Sequence, residues 1–213
     1  MRHILRTVAL PTALAATLVL ASCGNSDISG MNGRTNNGPA ATGTAAANGT
    51  PATGAKNEAD VVFATMMIPH HAQAIAMAET ALKQGTDPKI LSLAPKVKAA
   101  QSPEIARLSG WLTGWGAPVP DTAGGSDMHG MGGQTGGMMS AQQMSDLGAA
   151  RGSAFDRMWL QMMVTHHQGA VAMARTALAQ GTNPDSKQLA QSIIDSQSKE
   201  IAEMNSIRTG IPG

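Results

Sequence analysis

Apolar positions divide the chain into stretches of different character. Thr7 to Leu20 is an apolar run broken by Pro11, whereas Gly24 to Ala55 holds almost no large apolar side chain. From Asp60 onward apolar residues recur with helical spacing, and no stretch shows the period-two alternation of a half-buried strand. Helix punctuation brackets these stretches. Asn57 stands where it can cap a first helix with Glu58 and Asp60 in its opening turn, Gly85 suits a left-handed C-terminal residue, and Asp87-Pro88 offers a second N-cap followed by proline. Gly181 and Asn183-Pro184 repeat the arrangement, and a shorter helix is expected near Ala141 to Ala150. Such short turns force antiparallel neighbours, so each segment reads as a helical hairpin.

The two hairpins are copies of one unit. Asp60 to Gly114 aligns without gaps to Asp156 to Gly210 at a constant offset of 96, with roughly 25 identities in 55 positions. The shared skeleton is Met-Met-x-x-His-His, Ala-x-Ala-Met-Ala, Thr-Ala-Leu-x-Gln-Gly-Thr-x-Pro and Gln-Ser-x-Glu-Ile-Ala. Two hairpins make an all-α four-helix bundle over residues 57–213, with repeat one at 60–114, a Met/Gly-rich connector at 115–144 and repeat two at 156–210. Pro69, Pro95 and Pro103 fall inside the first hairpin and have no counterpart in the second, so kinks or shortened helices are expected there.

The N-terminal stretch reads as an export signal: Arg2 and Arg6, the apolar run, then Leu20-Ala21-Ser22-Cys23. That closing motif resembles the lipobox of bacterial prolipoproteins, and Cys23 is the only cysteine. The expectation is a signal peptide over 1–22, a lipidated Cys23 opening the mature chain, and a low-complexity, disordered tether through 56 that reaches on the order of 30 Å. The protein would then be an extracytoplasmic lipoprotein, in the periplasm or at the cell surface. Removal of Arg2 and Arg6 takes the formal charge from +1 to −1, so the lipid rather than a polybasic patch would hold the membrane. Near-neutrality without a basic run also argues against nucleic-acid binding. A lone cysteine excludes a disulfide framework and a cysteine-based zinc or iron–sulfur cage.

Composition changes the picture at one residue type, methionine, of which there are 15 against only 2% aromatics. On a helix at about 100° per residue, Met66, His70, Gln73 and Met77 share one stripe, and Met67, His71, Ala74 and Ala78 share its neighbour. Met162, His166, Gly169 and Met173, then Met163, His167, Ala170 and Ala174, repeat this. Thioether and imidazole thus stand one turn apart, twice over, close enough on a helix to ligate one ion. Methionine stripes alone are ordinary core filler. Four histidines in two identical contexts are harder to explain by packing, since burying them unpaired costs several kcal/mol.

Soft sulfur with imidazole favours copper, Cu(I) first, with zinc the lesser candidate. A di-iron site is excluded by the lack of any Glu-x-x-His. Glu104 and Glu200, each three residues after a glutamine, suit the role of accepting the far ring N–H of a ligating histidine. Between the repeats, Asp121 to Met144 is too long for a simple loop and carries Met128, His129, Met131, Met138, Met139 and Met144, an auxiliary set for a soft ion.

The motifs Met66-Met67-Ile68-Pro69-His70-His71 and Met162-Met163-Val164-Thr165-His166-His167, with Gln101-x-x-Glu104-Ile105 and Gln197-x-x-Glu200-Ile201, resemble the bacterial family catalogued as domain of unknown function 305, and within it the CopM-type periplasmic copper-binding proteins. The resemblance covers roughly Asp60 to Arg208; Pro103 departs from the pattern. It implies a ferritin-like four-helix bundle, an extracytoplasmic location and copper binding or resistance. The ligands it implies are Met66, Met67, His70, His71 and Met77 with Met162, Met163, His166, His167 and Met173.

The resulting expectation is a membrane-tethered protein that sequesters or passes on Cu(I), with an envelope copper-handling protein as partner and self-association left open. No catalytic motif calls for an enzyme. A ferritin-like oxidase of Cu(I) and a metal-free envelope interaction module are the alternatives. Proton competition for imidazole predicts weaker binding below about pH 6.

Overall fold

A computed structural model describes residues 54–122 and 136–211. The signal peptide, Cys23, most of the tether, and Met128, His129 and Met131 lie outside these residues. The described residues form five helices: α1 Glu58–Gln84, α2 Pro88–Gly114, α3 Ala141–Ala149, α4 Gly152–Gln180 and α5 Pro184–Thr209. No strand occurs among them.

Local chemistry explains where the helices begin. Asn57 and Asp60 form a reciprocal capping box at α1, and Ser140 and Gln143 form another at α3. Asp87 and Asn183 cap α2 and α5 ahead of Pro88 and Pro184. Pro69, Pro95 and Pro103 do not shorten their helices, a correction to the shortening expected; α1 and α2 each run 27 residues. A second correction concerns Gly85 and Gly181, which are extended at φ −61° and −68° rather than left-handed. Glycine is needed there for space: a β-carbon on Gly181 would collide with the Asp60 carboxylate, and one on Gly85 with the Ala81 carbonyl.

Asp60 and Asp156 bind the hairpins to each other. The Asp60 carboxylate, at the start of α1, accepts the backbone N–H groups of Thr182 and Asn183 in the turn of the second hairpin, each at 3.0 Å. Asp156, at the start of α4, accepts those of Thr86 and Asp87 in the turn of the first, also at 3.0 Å, together with the Thr86 hydroxyl. Burial pushes the Asp60 carboxyl up, but N–H donors from Asn57, Thr182 and Asn183 outweigh that and hold it below the usual carboxylate range. The exchange is the internal duplication made visible as a pseudo-twofold.

Helix α1 packs against both α2 and α4, and α4 against α5, so α1 and α4 form the central pair. Two apolar cores result. One gathers the C-terminal half of α1, the N-terminal halves of α2 and α4, Met204 and Ile207 of α5, and Met139 and Leu147. The other gathers Phe63 to Ile68, Leu108 to Leu112, Ala170 to Ala177 and Leu189 to Ile193. Trp159 in the first donates its indole N–H to the Met77 carbonyl at 2.9 Å, tying α4 to α1.

Candidate functional site

Between these two cores lies a buried polar layer. His70, His71, His166, His167, Gln101 and Gln197 are all at most 3% exposed. The roughly 100° between consecutive helix positions sends each histidine of a pair to a different neighbour. His70 and His166 turn toward each other across the α1–α4 contact, with ring centroids 3.7 Å apart and planes tilted by 36°. His71 and His167 turn within their own hairpins. His71 Nε2 lies 2.7 Å from Glu104 Oε2 on α2, and His167 Nε2 lies 2.6 Å from Glu200 Oε2 on α5. The rings within each pair stand 6.4 Å apart. Pro103 does not displace Glu104: the two His–Glu pairs match.

These partners set the imidazole tautomers. In a neutral ring, an Nε2–H donated to a carboxylate or carbonyl leaves the lone pair on Nδ1. His71 and His167 donate to glutamate, and His70 donates to the Gly136 carbonyl at 2.8 Å. The Nδ1 atoms of all four histidines are buried without a hydrogen-bond partner, as are Nε2 of His166, both amide atoms of Gln101 and Oε1 of Gln197. Each unmade bond of this kind costs about 1–3 kcal/mol. A mid-bundle layer with so many unpartnered polar atoms is therefore costly to the fold.

Burial also keeps the central pair uncharged. Desolvation, reinforced by neighbouring His71 and opposed by the Gly136 carbonyl, lowers His70 to about 3. His166 is driven well below the usual histidine range by burial first and then by His70, His167 and His71. Neutral imidazole is the form that coordinates metal.

The methionines divide. Met67, Met77 and Met163 are fully buried among apolar side chains, and Met162 nearly so. Met66 and Met173 are partly buried and line a cavity of about 610 Å³ between the N-terminal half of α1 and the C-terminal half of α4. Met139 and Met144 of the connector pack against the apolar core. Among the described residues, His, Cys, Asp and Glu side chains do not converge in threes on a point where an ion would sit. A site here calls for thioether donors or a low coordination number, both natural to a soft monovalent cation.

Four residues have roles that the sequence did not assign. Gln101 and Gln197 belong to the buried layer itself rather than merely preceding its glutamates. Gln73 holds the connector, donating to the Met139 carbonyl at 2.8 Å and accepting its N–H at 2.6 Å. Gly169, at the matching position of the second repeat, lets the connector cross α4: a β-carbon there would overlap the Gly136 carbonyl. The readable signal was that glutamine and glycine stand opposite each other in otherwise matched copies.

Known proteins resemble this chain in sequence and in fold. The family described as Domain of unknown function (DUF305) matches residues 60–208. A Streptomyces coelicolor structure of that family, described as a secreted protein, is 31% identical with a TM-score of 0.62, covering 70% of this chain and 91% of its own. CopM in its Cu(II)-bound form is 35% identical with a TM-score of 0.61, covering 71% and 96%. Its Cu(I)-bound form matches at 33% and 0.60, covering 72% and 98%, and a silver-bound form at 32% and 0.58, covering 72% and 97%. An uncharacterised protein of Acanthamoeba polyphaga mimivirus is 44% identical over 61 residues, which are 28% of this chain and 40% of that protein.

Proposed function

Starting from a chain that belongs to the DUF305 family and buries a duplicated imidazole layer between two apolar cores, we propose that it binds copper, Cu(I) foremost, outside the cytoplasm. The observation that carries this reading is the facing pair His70 and His166, 3.7 Å apart, with unpartnered Nδ1 atoms and no charge to repel a cation. Glu104 and Glu200 orient the outer imidazoles and raise their basicity, as carboxylates do behind metal-bound histidine. His70, His71, His166 and His167 supply nitrogen, and Met66, Met67, Met77, Met162, Met163 and Met173 are the thioethers within the same helices. Relatives solved with Cu(I), Cu(II) and silver support a soft-metal role, and a relative described as secreted supports the compartment.

Cys23 would carry the lipid, and residues 24–55 would space the bundle from the bilayer. Sequestration or transfer needs no chemical step. In a competition titration against a Cu(I) chelator, H70A/H166A is expected to lower affinity by more than about 100-fold, and M128L/M131L far less. The reverse ranking moves the site into the connector. Oxygen uptake that continues after saturation under air would replace storage with oxidation of Cu(I) as the function.

A further inference from the structure

The two repeats are matched in sequence but not in access. In the first apolar core, which Met139, Leu147 and Phe155 also join, Met77 of α1 and Met162 of α4 are closed in, at 0% and 7% exposure. Their counterparts across the pseudo-twofold are Met173 and Met66, which line the 610 Å³ cavity instead. Among the described residues, one of the two equivalent stations is open and the other closed. The difference follows from the connector: Gln73 pins Met139 on one side, whereas Gly169 gives up its side chain to the Gly136 carbonyl on the other.

The open station borders the buried layer through Gly136. Gly136 forms part of the cavity wall, its α-carbon sits so near the Met173 sulfur that a β-carbon there would lie 3.3 Å from it, and its carbonyl accepts the His70 Nε2–H at 2.8 Å. Met66 and Gly169, also in the wall, lie four residues before His70 and three after His166. Apart from Glu58 at its outer end the lining carries no charge, so it offers sulfur and amide oxygen but little to hold a hard, strongly hydrated ion.

We infer that this cavity is the port of the protein: a soft monovalent cation is first held by the Met66 and Met173 thioethers and passes from there to the His70–His166 pair, while the Met77–Met162 side is sealed. The inference rests on the copper-binding reading and adds its route and direction.

The test is the rate of transfer from a coloured Cu(I)–chelator complex to the full-length protein, followed by stopped-flow absorbance alongside final stoichiometry. M66L/M173L is expected to slow loading by about tenfold or more, more than M77L/M162L does, and Met204→Leu, in the sealed core, to leave it nearly unchanged. Ala172→Trp supplies an independent arm, since Ala172 is an exposed residue of the cavity wall and a bulky ring there plugs the opening without removing a donor. It too should slow loading while preserving the stoichiometry. Unchanged rates in both M66L/M173L and A172W, with normal uptake, overturn the port but leave copper binding standing. A larger slowing in M77L/M162L relocates the route to the α3 side and likewise overturns it. Failure of the unsubstituted protein to take up Cu(I) or silver overturns the binding reading itself.

Discussion

At the scale of single residues the protein is governed by its buried imidazoles, the central pair of which is kept neutral. Free histidine titrates near 6.5, whereas His70 is lowered to about 3 by burial and His166 is also well below the usual range. Between those values the unfolded chain binds protons that the folded chain refuses, so the stability of the metal-free protein rises with pH there. It is full above about pH 6.5 and falls on acidification toward about pH 3, with a slope of up to about 1.4 kcal/mol per pH unit for each such group. Thermal unfolding of the apoprotein should therefore show a Tm that drops steadily from about pH 6.5 downward, and H70Q/H166Q should flatten that dependence. An unchanged slope in the variant would place the titrating groups elsewhere. The same burial bears on metal. Ordinary histidine chemistry predicts loss of binding below about pH 6, but a proton that cannot reach a desolvated ring competes poorly, so affinity should persist further into acid.

At the scale of elements, the feature that breaks the symmetry is the short run from Gly136 to Ser140. It reaches the surface of α4 through two left-handed glycines, Gly136 at φ 46° and Gly137 at φ 79°. A side chain at Gly137 would strike the Thr165 carbonyl, so that position requires glycine for both φ and space. Gly169→Ala should push this run off α4, break the Gly136–His70 hydrogen bond and destabilise the fold by about 1–3 kcal/mol. Limited proteolysis and urea unfolding would report it. Cleavage near residues 136–140 should accelerate, while Ala172→Ser on the same helix should behave like the unsubstituted protein. Equal protease resistance in G169A would show that the connector's course does not depend on this contact. The His–Glu pairs, by contrast, are internal to each hairpin and should survive the substitution.

At the scale of the molecule, the bundle is two hairpins joined by reciprocal aspartate caps, the Trp159–Met77 hydrogen bond, two shared apolar cores and an imidazole contact. The proposed lipid anchor, Cys23, belongs to a different part of the chain. Cys23→Ser should release the protein from membranes into the soluble fraction without altering copper stoichiometry, as fractionation and metal analysis would show. Continued retention would point to an uncleaved signal segment as the anchor.

Helices, their N-caps, and the recurring Met and His positions were readable along the chain, because each depends on residues within about a turn of one another. Asn57 with Asp60, Asp87 with Pro88, and the phase of His70 relative to His71 are local facts. Which histidine meets which partner is not. His70 faces His166 across an interface between residues 96 apart, while His71 finds Glu104 across its own turn. A helical phase says only that two side chains point in different directions, and packing decides what waits in each. The same holds for Met66 and Met173, indistinguishable by spacing from their sealed counterparts until the connector's path is known. It holds for Asp60 as well, whose carboxylate caps its own helix by local rule and the opposite hairpin only by virtue of the fold.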